Sequence, residues 1–343
     1  MPIFDGHNDL LTKLLKSGDT DKFASGLTGH LDLPKMQKGG MVGGFFAIWV
    51  PSRGDLANLT AQMRQTSYDL PLPPRIELEE AQDIALAEAA VLVALQEAGW
   101  LSICTTTDQI RSCVSKGQIA AILHLEGCEP IDPEFTMLDR LYDMGLRSLG
   151  PVWSRPTRFG AGVPFRFPSG PDTGPGLTAD GFRLIEHCNA RGLVIDLSHI
   201  TEAGFWDVAK TTQAPLVATH SNAHAICPHS RNLTDEQLKA LGESGGVVGL
   251  NFATAMLRPD GKMLPEVGFD IMLAHLDHMM AKAGSDSIAI GSDFDGAIVP
   301  ALIGNASGLP HLVRAMERHG YDAVLIEKIT FENWMRVLDA TWT

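Results

Sequence analysis

The sequence predicts a closed (β/α)8 barrel of TIM type, an α/β fold in one domain spanning residues 1–343, with a long loop after the fourth strand. Three observations carry that prediction. Eight short apolar segments rich in β-branched residues alternate with helical stretches along the chain. Neither a composition break nor a fixed-period repeat divides it. Several of the segments end in His, Asp or Glu, and the carboxyl edge of a parallel sheet is where α/β folds bind ligands. An open doubly wound sheet is the competing architecture, but no G-x-G-x-x-G or G-x-x-x-x-G-K accompanies it.

Bulk properties narrow the function. With 45% hydrophobic and 20% charged residues the chain is an ordinary globular one, able to bury a large core. A formal charge of -14 and the lack of any Lys/Arg run argue against nucleic acid or an anionic membrane as partner. No signal-peptide pattern opens the sequence and no apolar run approaches the roughly 18 residues that span a bilayer, so a cytoplasmic location is expected. Cys104, Cys113, Cys128, Cys188 and Cys227 are scattered without a C-x-x-C pair, which points to free buried thiols.

In order, residues 2–4 form a short strand that runs straight into Asp5-Gly6-His7-Asn8-Asp9-Leu10. His7 and Asp9 are two apart, so in extended chain they share a face, as a pair of metal ligands must. A polar turn fits the same three residues. Residues 43–50 make the second strand, stopped by Pro51. Residues 77–98, dominated by Ala and Leu and followed by Gly99, are the clearest helix, and 102–107 can add a small extra strand. The third strand, 119–127, is apolar yet ends in Glu126, a carboxylate that is costly to bury without a cation or metal. His124 lies one layer lower on the same face and reads as a hydrogen-bonded core histidine.

A helix over 133–144 leads to the fourth strand, 145–153. The following Gly/Pro/Arg-rich loop, 154–176, holds Arg155, Arg158, Phe159, Arg166 and Phe167, and its length predicts a lid. A helix over 178–191 then feeds two strands, 193–199 and 214–220, joined by a helix over 201–212. A right-handed crossover makes them parallel and brings His199 and His220 to one edge. Thr234 and Gln237 suit a capping box. The seventh strand is 246–252, a helix covers Phe269–Ala283, and the last strand, 287–296, ends in Asp293 and Asp295. Asp295 reads as a support for its loop. Two helices, Leu309–His319 and 322–338, close the chain.

A barrel gathers these strand ends around one pocket. His7, Asp9, Glu126, His199, His220 and Asp293 give three imidazoles and three carboxylates from five strands. Such nitrogen and oxygen donors suit Zn²⁺, or Mn²⁺ or Co²⁺ in its place, and they exceed what one catalytic zinc requires. Two metals bridged by a carboxylate account for the surplus, and such a pair holds a hydroxide at neutral pH and polarises a carbonyl.

The stretches Asp5 to Leu10, Glu126-Gly127, Asp196-Leu197-Ser198-His199, His220-Ser221, Ser230-Arg231-Asn232 and Gly291 to Gly296 run from end to end of the chain. In these the chain resembles the membrane (renal) dipeptidase family of the amidohydrolase superfamily. The resemblance implies two zinc ions per chain, one held by His7, Asp9 and Glu126, with Glu126 bridging to a second held by His199 and His220. It implies Asp293 as the acid/base on the hydroxide between the ions, and Arg231 as the receiver of the substrate's terminal carboxylate. An ionised Asp293 near two dications and a planar Arg231 fork are chemically suited to those roles. From residue type alone Arg231 reads as a surface arginine.

One position departs from the family pattern. Where the family carries a histidine at the end of the fourth strand, thought to help bind the scissile carbonyl, this chain has Trp153. Arg155 or Arg158 of the loop is the candidate to replace it, which adds Trp153, Arg155 and Arg158 to the expected substrate contacts. The expected function is hydrolysis of a dipeptide, L-Xaa-D-Xaa included, by a hydroxide bridging two zinc ions, with Glu126 and Asp293 as catalytic groups. Alternatives are a binuclear hydrolase of another small carboxylate-bearing amide or lactam, and a metal-binding barrel without turnover. The expected partner is a small dipeptide-like molecule; barrels of this kind often form homo-oligomers, which no feature here demonstrates. The family's animal members are secreted and lipid-anchored, and nothing in the sequence supports either.

Overall fold

Eight parallel strands close on themselves: β1 (Ile3–Asn8), β2 (Met41–Trp49), β3 (Ile119–Glu126), β4 (Leu146–Gly150), β5 (Val194–Ile195), β6 (Val217–Ser221), β7 (Val247–Asn251) and β8 (Ile288–Gly291). The computed structural model describes residues 1–52 and 60–342. Hydrogen-bonded neighbours run β5-β4-β3-β2-β1-β8-β7-β6. A parallel bridge between Asp196 and Val217 joins the two ends of that series, and Leu197 N donates to Val217 O at 2.8 Å. This is the TIM barrel the alternation of segments predicts. Strands β1, β3, β6, β7 and β8 are buried along their whole length. A parallel strand covered on both faces has no solvent side, hence the unbroken apolar runs.

The two faces of the strands feed different cores. Ile3, Phe46, Ile48, Leu123 and Leu125 pack with the surrounding helices, while Phe4, Phe45, Ile122, Val217, Val247 and Ala289 form a second cluster inside the barrel. Trp334 and Leu338 of the last helix complete that cluster, and Trp334 donates its indole N–H to Ile290 O at 3.0 Å. Truncating a plug of this size to Ala costs about 3–5 kcal/mol. The single helix expected over 322–338 is instead Ala323–Glu327, a π turn at Lys328–Glu332 and a helix Asn333–Thr341. The wider turn re-aims the segment, and Asn333 fixes it by donating to Ser285 O and Ile288 O. Higher in the barrel the backbones converge: a Cβ added at Gly6, Gly249 or Gly291 would run into Thr219 O.

Several local expectations match, although the extra strand expected over 102–107 is shorter because Thr107 already opens a helix, Thr107–Ser115. Phe269–Ala283 and Leu309–His319 are helices, Thr234 and Gln237 form the capping box, and the extra strand exists as Leu101–Ile103, paired with β3. All five cysteines are free and buried. Over the carboxyl ends lies a roof made of the segments that follow β2, β4 and β7. Tyr68–Asp69 pairs antiparallel with Arg166–Phe167, Tyr68 OH donates to Gly261 O at 2.7 Å, and Met263 N donates to Met63 O at 2.8 Å. Met63, Tyr68, Leu70, Phe167 and Met263 share a small hydrophobic cluster. The loop expected as a lid is therefore pinned at its middle to the β2 side. Among the described residues no helix is long and apolar enough to cross a membrane.

Candidate metal centre

Each candidate ligand leaves the carboxyl end of its strand, as the barrel topology requires. His7 lies in β1 and Asp9 just beyond it, Glu126 ends β3, His199 follows β5, His220 lies in β6 and Asp293 follows β8. His199 and Asp293 sit at φ 68° and 58°, a left-handed backbone that costs non-glycine residues about 1–2 kcal/mol. Strain of this kind persists where the surroundings hold it, and it collects at functional sites.

Three imidazoles converge on one carboxylate oxygen. Glu126 Oε1 lies 3.0 Å from His199 Nε2, 3.5 Å from His220 Nε2 and 3.6 Å from His7 Nε2. Asp9 Oδ2 is 3.5 Å from His7 Nε2, and the His199 and His220 Nε2 atoms are 3.1 Å apart. His7, Glu126 and His220, and again His7, Asp9 and Asp293, each bring one donor atom within 4.8 Å of the others. All are buried except Asp293, which is half-buried.

Outer hydrogen bonds set the tautomer of His220. The Thr219 hydroxyl donates its proton to Asp196 Oδ2 at 2.6 Å, so it accepts from His220 Nδ1–H at 2.8 Å. His220 Nε2 is then a bare lone pair facing Glu126. Asp196 is held in turn by Thr219 N and Ser198 N. Ser154 Oγ lies 2.8 Å from His199 Nδ1. Beside Asp293, Asp5 accepts from Ser292 N and Ser292 Oγ at 2.6 and 2.7 Å, fixing the turn on which Asp293 stands. Asn251 Nδ2 donates to Asp293 Oδ2 at 3.1 Å.

The electrostatics call for a cation. Burial holds His199 and His220 well below the usual histidine range, with Arg231 and His7 adding to it. Burial opposes charge on His7 too, yet Glu126, Asp9 and Asp293 hold it up at about 10. Burial raises Glu126 well above the carboxylate range and raises Asp293 as well. His199 and His220 are thus neutral, as metal ligands must be, and a divalent cation would take over from the His7 proton the task of balancing the crowded carboxylates. His7 Nδ1 and Nε2 are both buried without a hydrogen-bond partner among the described residues. The donor set therefore fits divalent metal of the zinc type.

The substrate candidates separate. Trp153 lies on the pocket wall, 5.7 Å from the His199 ring and 5.3 Å from Trp49. Arg231, a surface residue by type, is 3% exposed. It reaches Ser221 Oγ and His220 O only at 3.4 and 3.2 Å, and its Nε has no hydrogen-bond partner among the described residues. Arg155 and Arg158 are not brought to the cluster. Arg155 is fully buried and spends its donors on Glu129 Oε1 at 2.8 Å, Val50 O at 3.1 Å and Ser52 Oγ at 2.6 Å. Arg158 points outward, half-exposed, and pairs with Asp180. A guanidinium so close in sequence to Trp153 turns away because the buried Glu129 carboxylate claims it.

Other side chains bear out their core readings. His124 donates or accepts at Ser148 Oγ, 2.9 Å away, and burial depresses it to about 3. Asp295 accepts from His30 N and Leu31 N and pairs with Lys13 at 3.3 Å. Asn251, Thr219, Asp196 and Ser154 went unassigned a role by sequence reasoning. The signal for the first was its place at the end of the seventh strand; the others stood beside ligands already named.

The pocket above these groups has a volume of about 220 Å³, below the roughly 300–1,000 Å³ of sites for drug-sized ligands. Comparison with known proteins gives the setting. The family model "Membrane dipeptidase (Peptidase family M19)" matches residues 1–343. A Klebsiella pneumoniae protein described as the uncharacterized protein in the pqqA 5′ region is 44% identical over 262 residues, 76% of this chain and 97% of its own. A Rhodobacter sphaeroides metallo peptidase, solved with a phosphinate mimic of the dipeptide L-Ala-D-Ala, superposes with a TM-score of 0.97 at 50% identity, covering 100% of this chain and 99% of its own. Dipeptidase AC, a metallo peptidase of family M19, superposes at 0.96 with 50% identity over 100% and 99%. With one set of metal-type donors at its strand ends and that match from end to end, the chain belongs to the membrane dipeptidase family, M19, of metallopeptidases.

Proposed function

We propose that this protein hydrolyses the amide bond of dipeptides, L-Xaa-D-Xaa among them, at a pair of zinc ions. The observation that carries the reading is the convergence of three imidazole Nε2 atoms on Glu126 Oε1 at 3.0–3.6 Å. His7 and Asp9 would hold one ion and His199 and His220 the other, with Glu126 shared. Such ions supply hydroxide at neutral pH and polarise a carbonyl. The Rhodobacter relative with its L-Ala-D-Ala mimic supports the substrate class.

The protein's own groups do the rest. Asn251 occupies Asp293 Oδ2, which leaves Oδ1 to hold the proton released as water attacks the carbonyl and to hand it to the leaving amine. Arg231, buried with donors to spare, takes the substrate carboxylate bidentately. The pocket of about 220 Å³ suits a small substrate.

Elemental analysis paired with hydrolysis of L-Ala-D-Ala before and after chelation tests this. About two zinc per chain and cleavage lost on chelation, restored by zinc, is the expected result. No metal bound after reconstitution, or cleavage indifferent to the chelator, would remove it.

A further inference from the structure

We propose that the wall formed by Trp49, Trp153 and Phe165, roofed by Met63 and Met263, is a subsite for a large apolar side chain on the amino-terminal residue of the substrate, with buried Arg155 holding that wall in place. The inference rests on the dipeptidase reading and names the substrate class within it.

The pocket divides by chemistry. Asp9, Glu126, His199 and Asp293 line its floor, whereas Trp49, Trp153, Phe165, Met63, Met256 and Met263 line its side and roof. Trp153 packs edge-on against Trp49 and Phe165 with centroids at 5.3 and 5.7 Å, and all three rings are only partly buried. Aromatic area left facing a pocket is an apolar contact waiting for its partner. The methionines add a surface that adapts to side chains of different shape.

The order of the strands says which substrate residue meets that wall. Round the barrel the sequence is β1, β2, β3, β4, β5, β6, β7, β8. Trp49 ends β2 and Trp153 follows β4, while Arg231 follows β6, directly across from β2. A carboxylate seated at Arg231 places the carboxyl-terminal residue over β6. The amino-terminal residue then lies on the far side, against the tryptophans.

Arg155 ties that far side together. Its guanidinium lies 5.3 Å from the Trp153 ring and bridges Glu129, beyond β3, to Val50 and Ser52, beyond β2. Glu129 is itself buried, so the pair cannot part cheaply. A planar fork held between two strand ends and lying over an indole constrains that indole as an ammonium would not. Arg155 is thus a positioning residue acting through Trp153.

Lys13 and Lys16 also line the pocket. Lys13 pairs with Asp295, and Lys16 lies 5.9 Å from the Trp49 ring. If they ruled, an acidic side chain would be preferred.

The experiment measures kcat/KM of the zinc-loaded enzyme for L-Ala-D-Ala, L-Leu-D-Ala, L-Phe-D-Ala, L-Asp-D-Ala and L-Ala-D-Phe. Expected is a gain of about 10–100-fold for Leu or Phe over Ala at the amino position, and none for L-Ala-D-Phe. Trp153→Ala removes most of that ratio, chiefly through KM. Arg155→Lys lowers the ratio by a smaller factor, about threefold, again in KM; a merely structural Arg155 would lower the melting temperature and leave the ratio alone. Preference for L-Asp-D-Ala, an equal gain for L-Ala-D-Phe, or a Trp153→Ala loss uniform across the panel overturns the subsite while leaving the dipeptidase reading intact. Cleavage of none of the five overturns both.

Discussion

The floor and the roof of the pocket are built in different ways. The polar groups of the floor leave the ends of barrel strands, and three of them have a buried partner behind them: Asp196 and Thr219 behind His220, Asp5 and Ser292 behind Asp293, Ser154 behind His199. The roof is made of loops, joined by a two-residue ribbon, the Tyr68 hydroxyl and a small apolar cluster. A strand end cannot move without its register, whereas a loop can be rewritten with little cost to the barrel. On the proposed reading the arrangement teaches a division of labour in which the chemistry is fixed below and the choice of substrate is set above.

The largest test of that division strikes the floor alone. Asp293→Asn keeps the size of the side chain and its place beside Asn251 but removes the proton carrier. We expect kcat to fall about 10²–10⁴-fold while zinc content by elemental analysis holds at the wild-type level. Unchanged kcat would show that the proton travels by another group.

A second test probes the seam between floor and roof. His275 is buried on the helix Phe269–Ala283; its Nδ1 accepts from Ala223 N, past β6, and its Nε2 faces Leu257 O at 2.9 Å, past β7. That ring is neutral, and burial lowers its pKa from 6.5 to about 4. Between those values the unfolded chain binds the proton and the folded one does not. The stability is therefore complete above pH 6.5 and is lost as pH falls toward 4, by about 3 kcal/mol. Urea unfolding across that range should show His275→Gln with a shallower acid loss than wild type; identical slopes would mean the ring titrates normally.

The same division explains what could be read in advance. The barrel and the six converging ligand candidates were legible because period, strand ends and residue type all act locally. His7 and Asp9 share a face by spacing, and Glu126 ends an apolar strand that has no other use for it. Arg155 was misread because its partner, Glu129, lies on another strand end, and nothing in the loop's own sequence says which way a guanidinium turns. Arg231 looked like a surface residue for the converse reason: what buries it is distant in sequence. The π turn before Trp334 has no local signal either, being imposed by the barrel's need for a plug.

A smaller effect sharpens the floor further. Thr219→Val keeps the shape of the side chain but leaves His220 Nδ1 without its acceptor and Asp196 without a donor. Outer partners of this kind are worth about 10–100-fold in metal affinity. Competition with a chelator should show one of two zinc ions weakened by that factor; two ions held as tightly as in wild type would remove Thr219 from the site.

The smallest effect belongs to the roof. Tyr68→Phe deletes the hydroxyl that donates to Gly261 O but keeps the ring against Phe167 and His229, 6.1 and 5.9 Å away. Gly261 has φ 65°, and a Cβ there would strike the Phe167 ring, so this corner is held by close contact as well as by the hydrogen bond. The bond alone contributes about 1 kcal/mol, a fall of roughly 2 °C in melting temperature for a chain of this size. KM should rise, because the corner ties the β4 loop that carries Phe165, while zinc content stays put. Zinc lost together with KM would break the comparison, since it would mean that the roof holds the floor's ligands in place and the two are one structure.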